Sequence, residues 1–204
     1  MKHAMEKFGV HMTAGHTHPL AEHNEISVFA VGYAKEYVPS VVRTPEGNIV
    51  LVVDMEGRIL DGYKYAWDTT TFKDAKNVQA LHAGIRKLCA GANIYACRDV
   101  SNPGIVGTLA MMLGHGHCGA IVDLEEIPVP EGMDLEHWLR VYPGFGFLLV
   151  TDKNGVDYSR ELFKDTGVVV KRIGYITQSR KLEVTYGKET VCFMDFGREN
   201  LFRE

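Results

Sequence analysis

The stretch RDVSNPGIVGTLAMML, residues 98–113, decides the fold. Asn102 is a good N-cap residue, and Pro103 suits the first position of a helix, where its missing N–H is not needed. The residues that follow are apolar on every side, so we predict a buried helix from Pro103 to Leu113. The N-terminus of such a helix directs backbone N–H groups and a positive dipole end at its surroundings, which suits a phosphate or a carboxylate.

Four residues of this stretch are candidate site residues. Asp99 could hold a metal ion, orient an amine or accept a proton. Ser101, Asn102 and Gly104 could bind the ligand, with Gly104 allowing a close approach of the backbone. The alternative is a simple helix cap with an exposed Asp99, because capping alone explains Asn102 and Pro103.

Helices and strands alternate from Asp74 onward. Apolar residues recur at helical spacing after Asp74, and Gly91 predicts the end of that helix. We predict further helices over 134–140 and 152–166, and strands over 93–97, 119–123, 145–151, 168–175, 181–186 and 190–193. This alternation is typical of a layered α/β domain.

The first 60 residues have a different pattern. We predict a short helix over Lys2–Phe8, and strands over Val10–Ala14, Ile26–Gly32 and Ile49–Asp54. Ile26–Gly32 is nearly continuously apolar, as in a strand that is covered on both faces. We therefore expect three parts, which are a partial N-terminal domain over 1–60, a linker over 61–73 and a second domain over 74–204.

Composition narrows the class of protein. The chain has 204 residues, 46% of them hydrophobic, and a net charge of −4, which disfavours a nucleic-acid-binding protein. Its longest apolar run, 105–113, is too short to cross a membrane, and Met1–Phe8 does not resemble a secretion signal. Four cysteines lack C-x-x-C spacing, so we expect buried thiols and a cytoplasmic protein with no membrane partner.

A second candidate segment is Ala14-Gly15-His16-Thr17-His18-Pro19. It offers a tight turn at Gly15, the imidazole of His16 and the hydroxyl of Thr17, and histidine suits proton transfer near neutral pH. The alternative is a polar turn at the end of a strand. The nine histidines of the chain have no standard metal-ligand spacing, so we predict no metal site.

A third candidate segment is Trp67-Asp68-Thr69-Thr70-Thr71, in the predicted linker. Trp67 beside Asp68 and three hydroxyls could line a ligand crevice between domains. The alternative is a packed Trp67 that anchors the linker. The sequence leaves both interpretations open.

These segments carry a family resemblance. In order and spacing, Gly15–Pro19, Trp67–Thr71, Asp99–Gly104 and Tyr142–Phe147 resemble the aminoimidazole ribonucleotide (AIR) synthase-related, PurM-like superfamily. Within it, the chain is most similar to an archaeal group described as the second methanogenesis marker. The resemblance implies a C-terminal domain of α/β/α layers with partial ferredoxin-like topology, preceded by the last strands of an N-terminal domain.

The resemblance also implies a function. Members of the superfamily use ATP, with Mg²⁺, to activate an amide- or carbonyl-type oxygen as a phosphate ester or to phosphorylate a small molecule. Their N-terminal domains pair into a β-barrel, which implies a homodimer, and nucleotide lies in a groove between the domains. By this resemblance Asp99 and His16 are the catalytic candidates, and the binding candidates are Gly15, Thr17, Trp67, Asp68, Ser101, Asn102 and Gly104.

This chain also departs from the pattern of the superfamily. Its sequence begins where the N-terminal domain of those proteins is already closing, and we find no Asp-Asp-Ala-type acidic segment before Gly15. Ala14 and Arg98 replace a usual glycine and a common lysine. We therefore keep a second hypothesis open, which is a non-catalytic ligand-binding or assembly module of the same fold without a cofactor.

Overall fold

The computed structural model describes residues 1–16, 20, 22–23, 26–34, 37–199 and 201. The described residues form ten strands and five α-helices. The helices are α1 (Lys2–Phe8), α2 (Ala75–Gly91), α3 (Gly104–Leu113), α4 (Leu135–Arg140) and α5 (Lys153–Phe163). The strands are β1 (Asn48–Asp54), β2 (Arg58–Ile59), β3 (Ala66–Asp68), β4 (Ile94–Asp99), β5 (Gly119–Asp123), β6 (Tyr142–Pro143), β7 (Gly146–Thr151), β8 (Val168–Thr177), β9 (Lys181–Tyr186) and β10 (Glu189–Asp195).

Seven strands form one sheet in the order β10-β9-β5-β8-β1-β7-β4. All its neighbouring strands are antiparallel except β5 and β9, which are parallel. A small sheet of order β2-β3-β6 lies outside it. Because β6 runs directly into β7, the small sheet is attached to one edge of the large one.

Strand β1 occupies the middle of the large sheet. Ile49, Leu51 and Val53 pack on one face and Val50 and Val52 on the other, all fully buried. The sequence predicts this strand as part of an N-terminal domain. It pairs instead with β7 and β8, so it belongs to the core that the later elements build. The division of the chain into parts over 1–60, 61–73 and 74–204 is otherwise a prediction.

Helices cover both faces of the sheet. On one face, α2 and α5 contribute Leu81, Leu88, Val156 and Phe163 to the core. On the other, α3 and α4 contribute Leu109, Leu113 and Trp138, among others. The protein is therefore a three-layer α/β/α domain, which confirms the predicted fold class.

Three helices begin at an aspartate that accepts a hydrogen bond from a backbone N–H of the first turn. Asp74 accepts from Asn77 at 2.7 Å, Asp134 from His137 at 2.8 Å, and Asp152 from Gly155 at 2.8 Å. Each cap satisfies an N–H group that has no partner inside the helix. The sequence predicted these helix starts correctly to within one residue.

Of the elements predicted for the first 32 residues, the helix is confirmed and the two strands are wrong. Helix α1 forms and packs on α2, where Gln79 Nε2 donates to the carbonyl oxygens of Glu6 and Lys7. Val10–Ala14 and Ile26–Gly32, however, contain no strand, and Phe29 is 90% exposed. Apolar content alone does not make a strand, because a strand also needs a neighbour for its backbone hydrogen bonds.

Two smaller expectations concern membranes and thiols. Within the described ranges, no helix is both long and apolar enough to cross a lipid bilayer.

Cys118 is buried and Cys89 and Cys97 are half-buried, but Cys192 is exposed on the edge strand β10. The prediction of four buried thiols was therefore wrong for Cys192.

Candidate ligand-binding site at one edge of the sheet

Three of the segments singled out in the sequence meet at one edge of the sheet. Val53 near the end of β1 pairs with Gly146, and Asp99 at the end of β4 pairs with Phe147. Strands β1 and β4 therefore end on either side of β7, about 10 Å apart at ordinary strand spacing. The N–H of Gly144, in the Tyr142–Phe147 segment, donates to the carbonyl oxygen of Trp67 at 2.8 Å. This hydrogen bond brings the Trp67–Thr71 segment to the same edge.

The turn that follows Asp99 is held by backbone contacts. The N–H of Ser101 donates to Oγ1 of the buried Thr108 at 3.2 Å, and the carbonyl oxygen of Ser101 accepts from the N–H of Gly104 at 2.8 Å. The Asp99 side chain is exposed, and among the described residues it makes no hydrogen bond or ion pair. A fixed turn thus carries a carboxylate that faces solvent.

Helix α3 begins one residue later than predicted. Pro103 is at the cap position without a side-chain hydrogen bond, and Asn102 is exposed rather than capping the helix. Gly104 has φ +70°, and a Cβ there would overlap the carbonyl oxygen of Leu139 and lie 2.8 Å from Cα of Arg140. The glycine is needed because the end of α4 packs against the start of α3 at this point.

Trp67 and Asp68 both make structural contacts. Trp67 is 7% exposed, packs edge-to-face on Trp138 and donates from Nε1 to the carbonyl oxygen of Asp54 at 3.1 Å. Asp68 Oδ1 accepts from the N–H groups of Thr70 and Thr71, both at 3.0 Å. Burial alone would raise the pKa of Asp68, but these donors outweigh it and lower that pKa. The packed interpretation of Trp67 is the one observed, and a ligand role for the pair stays a prediction.

The structure adds an ionic cluster that the sequence analysis missed. Asp54 is fully buried, and its Oδ1 accepts from the N–H of Glu56 at 3.0 Å. Lys73 Nζ lies 3.3 Å from Oδ2 of Asp54 and donates to Oε2 of Glu56 at 2.9 Å. The signal in the sequence was an acid directly after the all-apolar run Ile49–Val53, because such an acid ends a buried strand.

Burial and ion pairing shift the pKa values of Asp54 and Lys73 in opposite directions. Loss of water raises the pKa of Asp54, and the Glu56 N–H and the Lys73 charge only partly oppose that. Burial would lower the pKa of Lys73, but its contacts with Glu56 and Asp54 raise it. Lys73 therefore stays charged and pairs with both acids at the end of β1.

The contacts of the described residues do not join the Gly15–His16 segment to this edge. Gly15 and His16 are exposed, and no hydrogen bond or ion pair joins His16 to Asp99 within the described part of the chain. Thr17, another predicted binding residue, lies outside the described residues, as does His18. Among the described side chains, no group of three or more His, Cys, Asp or Glu is arranged to hold a metal ion.

The fold and this edge together define a class of protein, an α/β/α domain that presents a fixed turn and an exposed carboxylate beside a buried helix. Residues 46–187 match the family described as AIR synthase related protein, C-terminal domain. The match covers most of the chain, and the chain belongs to that family. The narrower resemblance to the methanogenesis-marker group stays a prediction.

Two curated relatives are uncharacterised proteins. One, from Methanocaldococcus jannaschii, is 34% identical over 203 residues, and the other, from Synechocystis sp., is 29% identical over 201 residues. Each alignment covers 98% of this chain and 62% of the relative. The chain thus spans less than two thirds of the length of these two proteins.

A solved structure shows the same fold. The PurL protein of Thermotoga maritima, complexed with ATP, superposes with a TM-score of 0.62 at 17% sequence identity. The superposition covers 78% of this chain and 26% of that protein. At this identity the likeness establishes the fold.

Proposed function

We propose that this chain forms the C-terminal half of a nucleotide-binding groove in an ATP-using protein. The reaction is the activation of a carbonyl- or amide-type oxygen, or the phosphorylation of a small molecule. The observation that carries the proposal is the exposed Asp99 beside the fixed turn Ser101–Gly104, at the edge where three family segments meet. Membership of the family supports it, and PurL of T. maritima has been solved with ATP and with ADP.

In this proposal the residues of the turn have different roles. Asp99 accepts a proton from the reacting group or orients it, because its exposed carboxylate can reach a bound ligand. Ser101 and Asn102 offer a hydroxyl and an amide to the ligand on a turn that is already ordered, which lowers the entropy lost on binding. The family resemblance, rather than a contact in the structure, supports a role for Gly15, His16 and Thr17 on the N-terminal side of the groove.

Among the described acids of this edge, Asp99 is the one whose side chain makes no contact with a cation or a backbone N–H. Asp54 and Glu56 pair with Lys73, and Asp68 accepts from backbone N–H groups. Magnesium bound to nucleotide usually takes one or two protein carboxylates besides the phosphates. Asp99 would therefore be the described residue that holds Mg²⁺, and the ion would supply positive charge at the phosphates.

The direct test is calorimetry of ATP binding. In the presence of Mg²⁺, Asp99→Asn should weaken ATP binding about tenfold, or ~1.4 kcal/mol, because it removes a carboxylate that the metal ion would meet. Asp165→Asn, an exposed acid in the loop after α5, is the matched control and should bind like the unmodified protein. Equal affinities for the Asp99 variant and the control would remove Asp99 from the site.

Catalysis needs a second experiment, because the chain spans 62% of each relative. We expect ATP turnover once the unmatched part of the M. jannaschii relative is supplied as a second polypeptide, and Asp99→Asn should abolish it. If the assembled pair binds ATP but never turns it over, the ATP-using assignment is wrong.

A second candidate function is a non-catalytic ligand-binding or assembly module. One observation favours it, since the acids at the end of β1 and in the Trp67–Thr71 loop are engaged by Lys73 and by backbone N–H groups. A module of this kind would bind a small molecule with Asp99 but would not hydrolyse ATP under any pairing. The turnover experiment separates the two candidates.

A further inference from the structure

Two cations and an imidazole surround one tyrosine next to the candidate groove. Lys64 Nζ lies 5.3 Å from the centre of the Tyr65 ring, and Cζ of Arg140 lies 4.7 Å from it. The ring of His137 meets the same tyrosine edge-to-face at 5.5 Å, and His137 Nε2 donates to the carbonyl oxygen of Lys64 at 2.8 Å. We call these four residues the Tyr65 cluster.

The Tyr65 cluster is held by the backbone on two sides. The carbonyl oxygen of Tyr65 accepts from the N–H of Tyr142 at 2.9 Å, which ties it to the small sheet. Arg140 ends α4, and a Cβ added at Gly104, at the start of α3, would lie 2.8 Å from the Cα of Arg140. The cluster therefore adjoins the turn that carries Ser101 and Asn102.

The positive charge of the cluster is not balanced by contacts. Lys64 and Arg140 are exposed, and within the described part of the chain neither forms an ion pair. Cation–ring contact fixes the position of each side chain without neutralising it, because the ring carries no net charge. Two positioned cations without counter-charge attract a multivalent anion.

We propose that the Tyr65 cluster is a binding site for a phosphate group of a small phosphorylated molecule. The guanidinium of Arg140 can donate two parallel hydrogen bonds to phosphate oxygens, and the ammonium of Lys64 adds a point charge. A phosphate dianion matches these two charges better than a single carboxylate does. The site lies beside the groove and does not require that the groove use ATP.

The test is a titration of the purified chain with sodium pyrophosphate, without magnesium, followed by the backbone amide resonances. We expect saturable shifts centred on Lys64, Tyr65 and Arg140. Arg140→Gln and Lys64→Gln should each weaken binding about tenfold, as expected for one charged hydrogen bond. Added sodium chloride should weaken binding to the unmodified protein, because salt screens exposed charges.

Two controls keep the result specific. Arg160→Gln removes an exposed arginine on α5 and should leave the affinity for pyrophosphate unchanged. Tyr65→Leu keeps both cations but removes the ring that positions them, and it should also weaken binding. Thermal melts of each variant establish that it is folded before it is titrated.

Titrations with other ligands identify the molecule that carries the phosphate and separate this proposal from the proposed function. Loss of affinity in Arg140→Gln for ADP alone indicates a nucleotide, and loss for ribose 5-phosphate as well indicates a sugar phosphate. Failure of the unmodified chain to bind ATP would leave this proposal standing, because the pyrophosphate titration contains neither ATP nor magnesium. The proposal is overturned if folded Arg140→Gln and Lys64→Gln bind pyrophosphate like the unmodified protein, or if the shifts centre elsewhere.

Discussion

Lys73 Nζ lies 3.3 Å from Oδ2 of the fully buried Asp54, at the end of the central strand β1. The two residues are 19 positions apart in the chain, and the segment between them includes β2 and β3. The ion pair therefore closes this segment onto the sheet. It also explains why an acid at the edge of the candidate site is not available to a ligand.

Removing the lysine should destabilise the fold. Lys73→Met leaves the Asp54 carboxylate buried with one N–H donor, and we expect a loss of about 3 kcal/mol in the free energy of unfolding. Lys76→Met, at an exposed position on α2, is the matched control and should change stability by less than about 0.5 kcal/mol. Urea unfolding at pH 7 measures both.

The same variant should respond to pH in a defined direction. Burial already raises the pKa of Asp54 in the folded protein, and loss of Lys73 raises it further. The folded state then holds its proton more tightly than the unfolded state, so stability falls as pH rises from the unfolded pKa of 3.8 toward the folded one. The cost of Lys73→Met should thus shrink below about pH 4. A cost that stays constant from pH 3 to pH 7 would contradict this account of the pair.

Asp68 should show the opposite dependence on pH. Its pKa is lowered by the N–H groups of Thr71 and Thr70, which outweigh burial, so its stabilising contribution is present above the unfolded value of 3.8 and is lost as pH falls through the folded pKa. Asp68→Ala should cost about 1 kcal/mol at pH 7, as for a lost helix cap. Asp61→Ala, exposed in the preceding turn, is the control. If Asp68→Ala and Asp61→Ala lower the free energy of unfolding equally at pH 7, Asp68 has no structural role.

Gly104 can be tested against a second glycine of the same backbone conformation. Gly104→Ala adds strain at φ +70° and a clash with the backbone of Leu139, and we expect a loss of about 3 kcal/mol. Gly132 has φ +78° but open space around its Cα, so Gly132→Ala should cost only about 1 kcal/mol. Equal melting temperatures for the two variants would show that the contact between α3 and α4 does not contribute to the stability of the fold.

The exposed apolar segment 26–34 predicts self-association. Val28, Phe29 and Val31 are 77%, 90% and 86% exposed, and a patch of this kind favours contact with another chain. We expect a dimer by light scattering, and Phe29→Asp should shift it to monomer. Phe193→Asp, on the edge strand β10, should leave the dimer intact and thereby identifies which surface is used. A monomer at all micromolar concentrations would contradict the prediction.

Much of the fold after residue 74 follows from local sequence. The predicted strands 119–123 and 181–186 coincide with β5 and β9, and the predicted helix starts at Asp74, Asp134 and Asp152 are real caps. Such features are local, because side-chain periodicity and a cap depend on residues within a few positions of each other. The candidate turn Asp99–Gly104 was found for the same reason.

Tertiary structure decided the remaining features. The apolar run Ile26–Gly32 forms no strand because strand pairing needs a neighbour that local sequence does not provide. Helix α3 starts at Gly104 because the end of α4 packs there, and Asp54 is paired because a distant lysine reaches it. Residue types and spacing therefore predicted the helices and strands of the layered domain. Only three-dimensional packing decided which acids are paired, which stay exposed, and that Arg140 meets Tyr65, because these contacts join residues far apart in the chain.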